Sequence, residues 1–233
     1  MAATVYLIPS LLHEEGLRSI PSHITDIVKE CQVLFVENER TARRYLKTLA
    51  KEIVIDDYEW FTMAVNDETA NAFRKKIKEG KTIGIISEAG CPGVADPGQQ
   101  LVAIAHEMNV EVKPLVGPNS ILLALMASGM NGQQFKFNGY LPIQNPERNK
   151  AIKDLEAESA KKNCTQIFIE TPYRNNQMFD ALLTACDPST KICIAVDLTS
   201  EKEYIKTKSV ADWKKDKPDI HKRPAIFLLY ASS

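Results

Sequence analysis

The signatures of several common chemistries are missing from this chain of 233 residues. No GxGxxG loop and no GxxxxGK[ST] occurs, so the phosphate cradles of dinucleotide dehydrogenases and P-loop phosphoryl transferases are absent. The four histidines, His13, His23, His106 and His221, show no HExxH spacing, and no serine sits in a GxSxG elbow. Local support for metal hydrolysis or triad catalysis is therefore lacking, and no metal site is expected; a triad built from distant residues stays open. Cysteine is sparse. Cys31, Cys91, Cys164, Cys186 and Cys193 form no CxxC pair, and an odd, scattered set fits neither a disulfide framework nor zinc, which predicts a reducing, cytoplasmic setting. Charge of one sign is also lacking: 29 basic against 30 acidic residues leave a net charge of -1, so any nucleic-acid partner needs a local basic patch. The first apolar run, Val5 to Ile8, is too short for an export signal, and none is long enough to span a bilayer, so no membrane partner is expected.

With 44% hydrophobic and 25% charged residues, the composition is that of an ordinary globular protein. Short β-branched runs at Val5–Ile8, Val33–Val36, Ile53–Ile55, Ile83–Ile86 and Val110–Lys113 predict strands. Helical patterns fall at Thr41–Leu49, Asp67–Glu79 and Gln99–Met108, the rhythm of crossover units on a parallel sheet. Pro114 to Pro118 then breaks the pattern with two prolines and a glycine, which predicts an N-terminal α/β domain over 1–115 and a second over 116–233. The second half opens on a helix from Asn119 and runs through Phe135–Phe137 into a turn at Asn138–Pro142. A polar helix at Glu147–Lys162 follows, then strands at Gln166–Ile169, Ile192–Val196, Tyr204–Lys206 and Ile226–Tyr230. The last two, close in sequence, suggest some antiparallel pairing and hence a mixed sheet.

The segment Ser87 to Gly98, SEAGCPGVADPG, joins a buried strand to a helix start. Gly90 and Gly93 let the backbone turn tightly and lie against another molecule. Asp96 reads as the helix cap, Pro97 as the first helical residue and Gln99 as the far partner of a capping box. At the carboxyl edge of a parallel sheet such a loop is where ligands bind, although the same residues also suit a plain βα turn. Pro118-Asn119-Ser120 and Thr171-Pro172 repeat the proline-marked start, each offering free N–H groups to an anion or simply capping well. Glu37, Glu39 and Arg40 follow a strand, where substrate-facing groups or a solvated first helical turn both fit. Cys91 lies near a helix start that could lower its pKa, or it simply fills a tight turn.

Four motifs, SEAGCPGVADPG, PLVGPNS at Pro114–Ser120, FKFNGYLP at Phe135–Pro142 and IFIETPYR at Ile167–Arg174, stand in one order along nearly the whole chain. By these the chain resembles the tetrapyrrole methylase superfamily, and within it the branch that methylates a ribose 2'-hydroxyl of small-subunit ribosomal RNA. Weaker echoes are VENERT at Val36–Thr41 and CIAVDLTS at Cys193–Ser200. The resemblance implies two α/β domains with S-adenosylmethionine in the cleft between them, and a homodimer. It implies cofactor contacts at Ala89, Gly90, Cys91, Val94, Ala95, Ser120, Ile121, Glu170, Leu198, Pro224 and Ala225. For the reaction, Glu37 is the candidate base, with Arg40 and Arg174 the candidates to face phosphate.

The chain departs from that branch in three places. Ile8 to Glu15 replaces a TPIGN-like loop, Ala195 to Ser200 lacks the arginine and terminal lysine of an ARELTK-like segment, and Asn38 stands for an aspartate. The lost charges include those an RNA substrate favours, the arginine and the lysine, so cofactor binding is expected to survive these changes better than RNA binding. Ribosomal RNA or the small subunit is the first expected acceptor, a tetrapyrrole or other small molecule the enzymatic alternative, and a non-catalytic S-adenosylmethionine binder the alternative from a different class.

Overall fold

A computed structural model describes residues 3–64 and 66–231. Contacts divide the chain into two compact units, Met1–Asn119 and Ser120–Ser233. Residues 115–118 stay with the first unit: Leu115 N–H donates to the Leu7 carbonyl at 3.1 Å. A Cβ on Gly117 would lie 2.1 Å from Cβ of Pro9, so only glycine lets the chain cross that proline.

The first unit runs β1 (Thr4–Ile8), α1 (Ile24–Glu30), β2 (Val33–Val36), α2 (Glu39–Leu49), β3 (Glu59–Thr62), α3 (Asp67–Lys78), β4 (Thr82–Ile86), α4 (Gln99–Glu107) and β5 (Glu111–Pro114). Its sheet has the order β3-β2-β4-β1-β5 with every pair parallel. Both faces are covered, and the strand residues alternate accordingly. Leu34, Val36, Ile8 and Ile86 join a core with α1 and α2, while Val33, Phe35, Ile83 and Ile85 join one with α3 and α4. That is why β2 reads VLFV without a polar residue, all of it buried.

The second unit runs α5 (Ser120–Ser128), β6 (Phe135–Tyr140), α6 (Glu147–Lys162), β7 (Thr165–Ile169), α7 (Asn175–Ala185), β8 (Lys191–Val196), β9 (Tyr204–Ser209), α8 (Val210–Trp213) and β10 (Ala225–Tyr230). Its sheet is mixed, order β6-β7-β10-β8-β9, with β6 parallel to β7 and β10 antiparallel to both β7 and β8. Phe168, Ile194, Val196 and Phe227 pack with Met178, Phe179 and Trp213 in its main core.

Four expectations are corrected. The strand read at Ile53–Ile55 is instead a buried Ile53 leading to a 3₁₀ turn at Ile55–Asp57, and the strand itself is Glu59–Thr62. It is a half-exposed edge strand, so no apolar run announces it. Asp96 does not cap α4: the cap is Gly98 at φ 125°, because the Pro97 carbonyl turns back to accept the Gly93 N–H at 3.1 Å. The turn read after Phe137 is a register shift inside β6, made at Gly139 with φ 65°. Finally, β9 and β10 do not pair with each other; β8 lies between them.

Candidate functional site

In the first unit, the carboxyl ends of β1, β2 and β4 are drawn together by the loop after β4. Ser10 N–H donates to the Gly90 carbonyl at 2.7 Å, and Glu88 N–H donates to Glu37 Oε2 at 2.9 Å. The Thr41 hydroxyl donates to Glu88 Oε1 at 3.2 Å. Asn38 caps α2, its Oδ1 accepting from Arg40 and Thr41 N–H at 3.0 and 3.3 Å, so it supports the same corner an aspartate would. Gly90 and Gly93 take φ of 72° and 79°. Ala95 adopts φ 62° with a side chain to accommodate, a strain that is held at functional loops more often than elsewhere. A Cβ on Gly90 would press on Leu12 Cδ2 at 3.3 Å and the Pro118 carbonyl at 3.4 Å.

Three carboxylates share this corner. Burial, then the charge of Glu37, push the Asp96 carboxyl up to about 6, with Glu88 adding to the rise and a hydrogen bond from Ser87 opposing it. The Cys91 thiol is also pushed up, by burial first, which corrects the expectation of a lowered pKa. Its Sγ approaches the Pro118 carbonyl at 3.5 Å. A cavity of about 210 Å³ opens at the end of the loop, between Asp96, Gly98, Gln99, Thr69 and Met63. None of the expected cofactor residues lines it.

In the second unit, antiparallel pairing brings the carboxyl ends of β7 and β8 to the amino end of β10. Glu170, Leu198, Pro224 and Ala225 thus gather at one end of the sheet, although they span 56 positions of sequence between the first and the last numbered 170 and 225. The Glu170 side chain is 1% exposed, and its Oε1 accepts from Thr171 N–H at 2.6 Å and from Arg174 Nε and Nη2 at 3.0 and 2.6 Å. Arg223 Nε donates to Asp197 Oδ2 at 2.7 Å, and Asp197 N–H to the Pro224 carbonyl at 2.9 Å. Asp197 and Thr199 both adopt positive φ, 48° and 72°.

The expected residues therefore fall into separate groups. Glu37, Arg40 and Ala89 to Ala95 belong to the first unit's corner, with Arg40 exposed on the first turn of α2. Ser120 and Ile121 open α5, Ile121 being buried. Glu170, Arg174, Leu198, Pro224 and Ala225 make the second unit's sheet end. Glu37 holds the Glu88 amide, and Arg174 holds Glu170, so these two expected reactive side chains are also structural partners. Sequence reasoning missed Asp96 as a titrating group by reading it as a cap; the signal was an acid set among small apolar residues opposite Glu37. Among the described residues no group of three or more His, Cys, Asp or Glu is placed to hold a metal, and no helix is long and apolar enough to cross a membrane.

A family profile described as Tetrapyrrole (Corrin/Porphyrin) Methylases matches residues 19–213. The chain is 28% identical over 214 residues to the ribosomal RNA small subunit methyltransferase I of Vibrio cholerae, covering 91% of this chain and 70% of that one. It is 25% identical over 231 residues to the protein of the same name from Escherichia coli O157:H7, covering 97% and 77%. Among solved structures, the methyltransferase CobJ superposes with a TM-score of 0.63 at 16% identity, over 98% of this chain and 93% of that one, a likeness of fold. The expected pair of α/β domains is thus the fold of that family, and with most of its length inside the family match the chain belongs to the tetrapyrrole methylases.

Proposed function

We propose that this protein is an S-adenosylmethionine-dependent methyltransferase acting on a ribose 2'-hydroxyl of small-subunit ribosomal RNA. The observation that carries the reading is the Ser87–Gly98 loop. Its backbone is bared at Gly90 and Gly93, it carries the carboxylates of Glu88 and Asp96, and it is tied to that of Glu37, an environment that suits a ligand with a positively charged sulfonium. Bound there, the cofactor supplies an activated methyl group. The chain's own part is alignment of the acceptor and removal of its proton. Glu37 is the proposed base, and Asp96, poised near neutrality, is a second carboxyl beside it. Arg40 and Arg174 are the proposed phosphate contacts. Ala89, Cys91, Val94 and Ala95 on the loop are proposed to touch the cofactor, as are Ser120, Ile121, Glu170, Leu198, Pro224 and Ala225. Relatives named for ribosomal RNA over most of this chain support RNA as the acceptor. A homodimer in the cytoplasm completes the proposal; Met126, 79% exposed on helix α5, which is apolar between its terminal serines, is consistent with a protein partner.

Calorimetric titration with S-adenosylmethionine should give saturable heat, and Gly90→Trp should abolish it while the protein stays folded by circular dichroism. Folded wild-type protein that gives no heat refutes the proposal. Labelled methyl should then pass to small ribosomal subunits from cells lacking ribose methylation. Label in a small-molecule fraction instead would redirect the substrate, and binding without transfer would leave a non-catalytic binder.

A further inference from the structure

Tyr173 follows β7 on a 3₁₀ turn, Pro172–Arg174, and is 70% exposed. An aromatic ring left so open contributes little to the core, yet its surroundings are closely built. Lys222 N–H donates to the Pro172 carbonyl at 2.9 Å, and the fully buried Asn175 donates through Nδ2 to the Arg223 carbonyl at 2.6 Å. Asn176 ties α7 to the loop that leads to Lys222: its Nδ2 donates to Asp219 Oδ1 at 2.7 Å and its Oδ1 accepts from Ile220 N–H at 3.0 Å. These bonds hold Lys222 at φ 61°, with its Nζ 5.6 Å from the Tyr173 ring centroid. The exposed His221 ring stands edge to face against Tyr173, centroids 6.1 Å apart at 78°.

The segment that leads into this corner is more basic than the chain as a whole. Residues 202–223 contain eight basic and four acidic residues. Several of the cations are held by carboxylates, as in Lys208–Asp216 and Arg223–Asp197. Among the described residues, Lys202, Lys206, Lys214 and Lys222 have no such partner. Of these, Lys222 stands at the ring, and a rigidly mounted, open aromatic beside an uncompensated cation has the composition of a stacking platform for single-stranded nucleic acid.

We infer that Tyr173, flanked by Lys222 and His221, stacks an unpaired base of the RNA substrate while Lys222 meets its phosphate. The inference rests on the ribosomal RNA reading above and names a contact surface for it. An unstructured, fluorescein-labelled oligoribonucleotide of about 12 nucleotides, within the span of known single-strand sites, is the probe. In fluorescence anisotropy Tyr173→Ala should weaken binding roughly 10-fold, as loss of one stacked base does. Tyr173→Phe should bind as wild type, since it keeps the π face. Lys222→Ala should lower the salt slope by about one and weaken binding across sequences. Both alanine variants should keep wild-type affinity for S-adenosylmethionine, and Tyr173→Ala should raise KM for small ribosomal subunits. If the wild-type chain neither binds the oligonucleotide nor methylates subunits, the platform falls together with the reading beneath it. If wild type methylates subunits and Tyr173→Ala equals it in binding and KM, the platform alone is overturned. Loss of cofactor affinity in Tyr173→Ala with RNA affinity intact overturns it as well.

Discussion

At the strand ends of the first unit the turns are made mostly by glycine, with Gly90, Gly93 and Gly98 at positive φ beside Ala95, whereas the second unit makes them at Asp197, Thr199 and Lys222. Glycine needs no help to adopt that geometry, so the first corner can present bare backbone. Residues with side chains need external ties, and the second unit supplies them through Arg223–Asp197, the Thr199 N–H to Glu203 Oε2 bond at 2.8 Å, and the Lys222 amide. Charge divides the same way. The first unit holds 13 basic and 17 acidic residues, the second 16 and 13. A net charge near zero therefore conceals an acidic unit, suited to a cationic sulfonium, and a basic unit, suited to phosphate.

The strongest test of this contrast is Arg174→Ala. It strands the Glu170 carboxylate, 1% exposed, without its cation, and should lower the urea unfolding midpoint more than any other change considered, since the carboxylate it leaves is out of water. An unchanged midpoint would mean the second unit does not depend on its ties. Next comes Gly98→Ala in the first unit, where φ 125° and a Cβ 3.3 Å from Ile85 Cγ2 should cost about 2 kcal/mol. If that variant unfolds with wild type, glycine is dispensable there.

Asp96→Asn sharpens the acidic side. With its carboxyl raised from 3.8 to about 6, the folded protein binds this proton more tightly than the unfolded chain does. The stability this provides is complete below pH about 4 and is lost as pH rises through about 6. Asparagine has no such loss, so the variant should exceed wild type by about 1 kcal/mol at pH 8, a value reduced for solvent screening of a half-exposed group, and the gain should vanish near pH 4. Equal differences at both pH values would refute the shift. The smallest effect is expected for Thr199→Gly. A β-branched residue at φ 72° with a buried, unpaired hydroxyl is strained, and its relief, offset by backbone entropy, should raise the thermal midpoint by an amount worth about 0.5 kcal/mol.

Residue order alone marks much of this architecture. The runs at Val33–Val36 and Ile83–Ile86 fall on β2 and β4 because strands buried on both faces must be apolar throughout. The polar helix Glu147–Lys162 agrees with α6 at both ends. Edge strand β3 and helix α1 escaped that reading: Glu59–Thr62 alternates in no clear pattern, and α1 has no side-chain cap at His23. At the candidate site, the glycine loop and the identity of the family were legible in the motifs. What the motifs left open was which groups meet. Ser10 against Gly90, Glu37 against Glu88, and Tyr173 against Lys222 are 80, 51 and 49 positions apart when counted along the chain. Local pattern follows from steric preference and burial within a few residues, so sequence carries it. The raised Asp96 carboxyl and the open Tyr173 ring depend on neighbours delivered by strand order, and folding alone brings those neighbours into place.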